Sequence, residues 1–143
     1  MTVASILAQK GREVVTASPE RTLQDVATIL AERKIGAIVI TDSQGRVLGM
    51  LSERDIVRAM ARQGASALDD PVSRHMTERV VTTSEAATIP DTMERMTAGR
   101  FRHLPVVASE KLVGMISIGD IVKWRLAEIE SEHQALKEYI ATA

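Results

Sequence analysis

Gly49-Met50-Leu51-Ser52-Glu53-Arg54-Asp55-Ile56-Val57 returns 65 residues further on as Gly114-Met115-Ile116-Ser117-Ile118-Gly119-Asp120-Ile121-Val122. Each copy is an apolar strand-like run, then Ser-x-x-Asp, then an amphipathic run. The likeness extends upstream at an offset of 66. Val14-Val15-Thr16 matches Val80-Val81-Thr82, Thr22-Leu23-Gln24-Asp25 matches Thr88-Ile89-Pro90-Asp91, and Ile38-Val39-Ile40 matches Leu104-Pro105-Val106. One residue is lost in the turn between these segments and the motif. Further upstream, Val3 to Leu7 resembles Val72 to Met76. A period this long is a small domain and not one turn of a solenoid.

Each copy reads as β-α-β-β-α. In the first, a short strand covers Glu13 to Thr16. A helix follows with Thr22 as N-cap and Asp25 reaching back to it. Leu23, Val26, Ala27, Leu30 and Ala31 keep helical spacing. Gly36 follows the helix end, and Ala37 to Ile40 is an apolar strand. Asp42 to Gly45 is a turn, Arg46 to Leu51 the returning strand, and Ser52 to Arg62 a second helix. In the second copy Pro90 sits in the first helical turn, where a missing N–H costs little. Gly99 ends that helix, and Phe101 to Val107 and Lys111 to Ser117 form the hairpin. The expected division is residues 1–63 as repeat 1, 64–71 as linker, 72–127 as repeat 2 and 128–143 as an extension of the last helix.

Three strands and two helices cannot bury both faces of a sheet. The two copies are therefore expected to pack sheet to sheet about a pseudo-two-fold axis, an α/β arrangement of α+β type. Clefts are expected at their joint, where small-molecule sites often lie. The last helix runs on without Gly or Pro to near Ile140. Val122, Leu126, Ile129, His133, Leu136 and Ile140 recur at spacings of 4, 3, 4, 3 and 4, a narrow seam of coiled-coil type. This stripe either packs on the body of its own chain or makes a homodimer.

Composition narrows the function. Among 143 residues, Trp124, Phe101 and Tyr139 are the only aromatics, so stacking platforms for bases are nearly absent. A formal net charge of −1 gives no field toward nucleic acid or a membrane surface. No run approaches the ~18 apolar residues of a membrane span. The chain has no cysteine, which removes disulfides, zinc-thiolate sites and cysteine nucleophiles. With no secretory signal at Met1 to Leu7, the expected location is cytoplasmic. His75 and His133 lack ligand-spaced partners, so no metal is expected. Nothing has the pattern of a nucleophile–base pair or a phosphate-cradling Gly-rich loop, and the chain does not read as an enzyme.

Ser-x-x-Asp has two readings. As a capping box it only starts a helix, and the Thr22/Asp25 and Thr88/Asp91 pairs show that this chain uses such caps elsewhere. As a site, a helix N-terminus with a free hydroxyl suits phosphate, and a carboxylate one turn in can accept from both ribose hydroxyls. Strand, capped helix, strand and Gly-h-h-Ser-x-x-Asp in tandem (h, an apolar residue) resemble a pair of CBS (cystathionine β-synthase) domains, a Bateman module. Arg102-His103-Leu104-Pro105-Val106-Val107 followed by Leu112-Val113-Gly114-Met115-Ile116-Ser117 is the most characteristic stretch. The resemblance runs from Val3 to Leu126. Ser-Glu-Arg-Asp in the first copy is similar to that of small stand-alone bacterial CBS-pair proteins.

The resemblance implies a regulatory module that binds AMP, ADP, ATP, NAD(H) or S-adenosylmethionine between the copies, with no catalytic cofactor. It implies that Asp55 and Asp120 hold ribose hydroxyls, with Ser52 and Ser117 near ribose or phosphate. Thr16 and Thr82 would contact the nucleoside. The backbones of Gly36-Ala37-Ile38 and His103-Leu104-Pro105 would border adenine. The copies differ where phosphate is expected: Arg102-His103 stands opposite Gly36-Ala37, and Glu53-Arg54 opposite Ile118-Gly119. Arg54, Arg102 and His103 are thus the phosphate candidates, with Lys34 and Arg100 in support. The rival reading is an interaction module with vestigial clefts whose last helix binds another copy or a regulated protein.

Overall fold

The computed structural model describes residues 1–142. Helix α1 (Val3–Lys10) precedes β1 (Thr16–Ala17), α2 (Leu23–Arg33), β2 (Ala37–Thr41), β3 (Val47–Ser52) and α3 (Glu53–Gln63). After two short 3-10 helices the order repeats as α4 (Ile89–Gly99), β4 (His103–Ala108), β5 (Lys111–Ser117) and α5 (Ile118–Thr142). The expected mixed α/β architecture with a long final helix is present. The first sheet has the order β1-β2-β3, with β1 parallel and β3 antiparallel to β2. The second sheet holds only β4 and β5. Its expected first strand shrinks to a single parallel bridge, Thr83 to Val106. The corresponding strand in the first copy is also short, beginning at Thr16 and not at Glu13.

Local chemistry explains the elements. Thr22 and Thr88 each accept from the backbone N–H three residues on, so both inner helices start on a hydroxyl cap. Both end on left-handed residues, Lys34 and Arg100, each at φ 55°. The first hairpin turns on Asp42, whose carboxylate accepts from Gln44 and Arg46 N–H at 2.8 and 2.9 Å. The second turns in two residues, Ser109 and Glu110, both at positive φ. That shorter turn is the residue missing between the repeats.

The repeats are held together by exchange. The first core contains Leu23, Val26, Leu30, Ile38, Ile40 and Leu51, closed by Val72 from the segment that leads into the second repeat. The second contains Ile89, Met96, Leu104, Val106, Ile116 and Ile121, closed by Val3, Ile6 and Leu7 of α1. Backbone hydrogen bonds repeat the exchange. Val3 and Ala4 N–H donate to the carbonyls of Ala87 and Glu85, while Val72 and Ser73 donate to Arg21 and Pro19. Residues 1–63 therefore do not form a closed half, because α1 belongs to the second core. Residues 64–71 are more than a linker: Gly64–Asp69 is a 3-10 helix that buries Ala67 in the first core. The pseudo-axis passes near Arg46 and Lys111, which are repeat equivalents and bridge each other.

The motif glycines are where the exchanged segments lie. A Cβ at Gly49 would sit 2.6 Å from the Met76 sulfur and 2.9 Å from the Thr77 carbonyl oxygen. A Cβ at Gly114 would sit 2.8 Å from the Leu7 methyls. A side chain can yield more cheaply than a carbonyl. Gly49→Ala should cost about 1–3 kcal/mol, as overpacking does, and Gly114→Ala less. Urea denaturation of both variants checks the order.

Candidate functional site

Equivalent segments of the two repeats meet at the axis. Gly36-Ala37 at the start of β2 faces Arg102-His103 at the start of β4, and a Cβ on Gly36 would lie 3.8 Å from His103 Cε1. Each of these segments is tied to the helix start of its own repeat. Glu53 N–H donates to the Gly36 carbonyl at 3.0 Å, and Ile118 N–H to the Arg102 carbonyl at 2.8 Å. The small residues on one side leave a cavity of about 260 Å³. Of the residues singled out from the sequence, Gly36, Ala37, Ser52, Arg54, Asp55, Arg102, His103 and Arg100 line it.

The floor is the α3 cap. The Ser52 hydroxyl accepts from Asp55 N–H at 3.4 Å, and Ser52 N–H donates to Asp55 Oδ2 at 2.8 Å. The structural reading of Ser-x-x-Asp is thus realised. Thr77 adds a hydroxyl to Asp55 Oδ1 at 3.3 Å and pairs its backbone with Met50 at 2.9 Å both ways. Asp55 is buried and almost fully hydrogen-bonded. A ribose would exchange with the Thr77 or Ser52 hydroxyl, because a carboxylate offers about four acceptor sites.

The rim is cationic. Arg54, Arg79, Arg100 and Arg102 line the cavity with Glu53 and Asp55. Among the described residues none of these four arginines is in an ion pair. Burial pushes the His103 imidazole below its usual value. Lys10 and Arg102 push the same way, while Asp120 and Glu53 oppose them. Val80, Val81, Met50 and Phe101 supply apolar wall. Sequence reasoning missed Thr77, Arg79, Val80, Val81 and Phe101. The signal was available for the valines, since Val80-Val81 is the repeat of Val14-Val15.

The second Ser-x-x-Asp is built differently. Asp120 N–H donates to the Ser117 hydroxyl at 3.1 Å and Ser117 N–H to Asp120 Oδ2 at 2.9 Å, so α5 is capped as α3 is. The place of Thr77 is taken by Lys10. Its ammonium donates to the Met115 carbonyl at 2.9 Å and to Asp120 Oδ2 at 2.7 Å. One cation makes both of the donations that Thr77 makes in the first copy and neutralises the carboxylate. Asp120, Lys10 and Trp124 line a separate cavity of about 490 Å³ between α1 and α5, where Lys123, Glu128 and Glu132 mix both charges.

The other expected site residues lie outside the first cavity. Ile38 and Leu104 point into the two cores. The Pro105 carbonyl is taken by Thr83 N–H and the Thr82 carbonyl by Arg95. Thr16 and Lys34 are exposed elsewhere, and Ser117 stays at the α5 cap.

Burial would raise the Asp120 carboxyl, but the Lys10 ammonium and Ser117 N–H outweigh it and hold it below the usual value of 3.8. The stability this contributes is present above pH 3.8 and lost as pH falls through the lower folded value. Lys10→Met should therefore reduce the loss of stability as pH falls below 3.8. Denaturation curves across that range check it; an acid limb unchanged in Lys10→Met would contradict the pairing.

Comparison with known proteins agrees with this architecture. The CBS-domain family profile matches residues 4–62 and 72–127. An uncharacterised 17.7 kDa protein of Acidianus ambivalens is 36% identical over 112 residues, covering 78% of this chain and 66% of that protein. The crystal structure of a CBS-domain protein from Agrobacterium tumefaciens is 48% identical with a TM-score of 0.84, covering 87% of this chain and 99% of the other. A CBS-domain protein from Pyrobaculum aerophilum, solved in complex with AMP, is 30% identical with a TM-score of 0.75, covering 84% and 89%. With two matched repeats, two exchanged cores and a cleft at the pseudo-axis, this chain belongs to the CBS-domain family as a tandem pair.

Proposed function

We propose that the chain is a non-catalytic regulatory module that binds an adenine nucleotide in the cavity floored by Asp55. The observation that carries this reading is the set of four arginines without ion-pair partners around two carboxylates in one cleft. Guanidinium groups present paired donors to phosphate oxygens. Four positive charges against two negative favour AMP, ADP, ATP or the pyrophosphate of NAD(H). They disfavour the sulfonium of S-adenosylmethionine, which would add a cation. The AMP complex of the Pyrobaculum relative supports the adenosine class.

In this reading ribose hydroxyls displace the Thr77 hydroxyl from Asp55, and adenine lies against Ala37, Met50, Val80 and Val81. Phosphate lies among Arg54, Arg100, Arg102 and His103. The Asp120 side stays empty at modest ligand concentrations because Lys10 already satisfies that carboxylate. Binding across the axis would change the angle between repeats in proportion to the ligand's differential affinity for the two arrangements. Competition among nucleotides with different phosphate counts would then report energy state.

Titration calorimetry tests the reading. AMP and ATP should bind at one per chain, and S-adenosylmethionine at least ~10-fold more weakly. Arg102→Ala should weaken AMP by roughly 10- to 100-fold, the loss of a charged hydrogen-bond donor. No heat from any adenine nucleotide, or tighter binding of S-adenosylmethionine, would contradict it.

Two variants of the measurement separate the site from the fold. Burial holds the His103 imidazole below its usual value, and an arriving phosphate would raise it. Because the AMP phosphate itself titrates at about pH 6, the comparison is with His103→Ala: near pH 6.5 the wild type should take up more protons on binding AMP than the variant does, and equal proton uptake in the two would contradict this. Arg100 holds a left-handed conformation that glycine adopts freely. Arg100→Gly should leave stability unchanged or raise it by up to about 1 kcal/mol while weakening AMP.

A further inference from the structure

Glu53 is the acid of the Asp55 cavity that neither the α3 cap nor the nucleotide reading uses. It is exposed and, among the described residues, meets no cation at ion-pair distance, although four arginines share the cavity. An acid in the first turn favours a helix start. Asp55 already supplies one there, and α5 starts with Ile118 at the equivalent place. Helix formation therefore accounts for Asp55 and leaves Glu53 without a task.

Its place is fixed from both repeats. Glu53 N–H donates to the Gly36 carbonyl at 3.0 Å. A Cβ on Gly36 would lie 3.9 Å from Glu53 Oε1 and 3.8 Å from His103 Cε1. The carboxylate of one repeat and the imidazole of the other thus border one point, left open because residue 36 has no side chain. Both residues of this corner depart from the repeat: Gly36 answers to Arg102, and Glu53 to Ile118. In the nucleotide reading phosphate lies among Arg54, Arg100, Arg102 and His103, so Glu53 stands at the edge of the phosphate position. The cavity holds about 260 Å³, small beside the ~300–1,000 Å³ of ligand sites. Phosphates after the first extend past it, along the rim that Glu53 shares.

We propose that Glu53 is a specificity-determining residue that holds the cavity to one phosphate and so favours AMP over ATP. The proposal rests on the nucleotide reading and narrows it. The first phosphate exchanges water for paired guanidinium donors. Each further phosphate adds negative charge near a carboxylate that has no counter-ion. At about 6 Å in water one unit charge alters the affinity for another roughly 3-fold, so the two charges that separate ATP from AMP amount to roughly 10-fold. The exposed arginines attract those same charges, and without Glu53 their pull favours the longer chain.

Titration calorimetry of the whole chain with AMP and with ATP, in a chelator and at one ionic strength, tests this. Wild type should bind AMP at least as tightly as ATP. Glu53→Gln should shift the ratio of the two affinities roughly 10-fold toward ATP. Glu53→Ile, which installs the residue of the second repeat, should shift it the same way. Glu130→Gln removes an acid of α5 that does not line the cavity and should leave the ratio as it is, which separates a local effect from net charge. A ratio unmoved by both Glu53 variants while AMP still binds would overturn the proposal and leave the nucleotide reading standing. Tighter ATP binding in Mg²⁺ that Glu53→Gln abolishes would make Glu53 a metal ligand and would overturn it as well. No binding of any adenine nucleotide would end both.

Discussion

Neither repeat closes its own core. Each borrows the segment that leads into the other, and the exchange is admitted at one atom-scale feature, the bare backbone of Gly49 and of Gly114. Met76 lies against the first and Leu7 against the second, residues that correspond in the repeat. From that contact follow the close approach of the two sheets and the pairing of Arg46 with Lys111 on the axis. The cleft follows too, since Gly36-Ala37 is brought opposite Arg102-His103. Stability and site are thus one construction. A change that separates the repeats opens both cores, each of which buries several aliphatic side chains worth about 1.5–3 kcal/mol apiece.

The near-symmetry makes its departures informative. Where Thr77 meets Asp55 with a neutral hydroxyl, Lys10 meets Asp120 with a charge. One carboxylate keeps only neutral partners in a cationic cleft, and the other is paired with a cation. The Ser-x-x-Asp motif does not decide between capping and binding, because it caps in both places. What distinguishes the copies is what the exchanged segment carries to the motif, together with the four arginines gathered on one side only.

Much of this was legible in the sequence. The repeat, its elements and the seam of α5 are period signals, and the structure keeps them. The second sheet lacks its first strand: Val80-Val81-Thr82 makes no ladder, and only the next residue, Thr83, bridges to Val106. The exchange was hidden because the contact of Gly49 with Met76, or of Gly114 with Leu7, joins segments far apart in the chain. Arg79 was missed for the same reason: it reaches the first copy's motif across the axis. Asp120 and Asp55 are equivalent in the sequence; what separates them is Lys10, more than a hundred residues from Asp120 along the chain.

The central claim is that the two related carboxylates are unequal and that the one without a cation holds the nucleoside. A crystal structure of the full chain grown with AMP tests it most directly. The account predicts ribose on Asp55, phosphate among Arg54, Arg100 and Arg102, and an unbroken Lys10–Asp120 pair in the same molecule. Nucleotide density at Asp120 with Lys10 displaced, and none at Asp55, would contradict it.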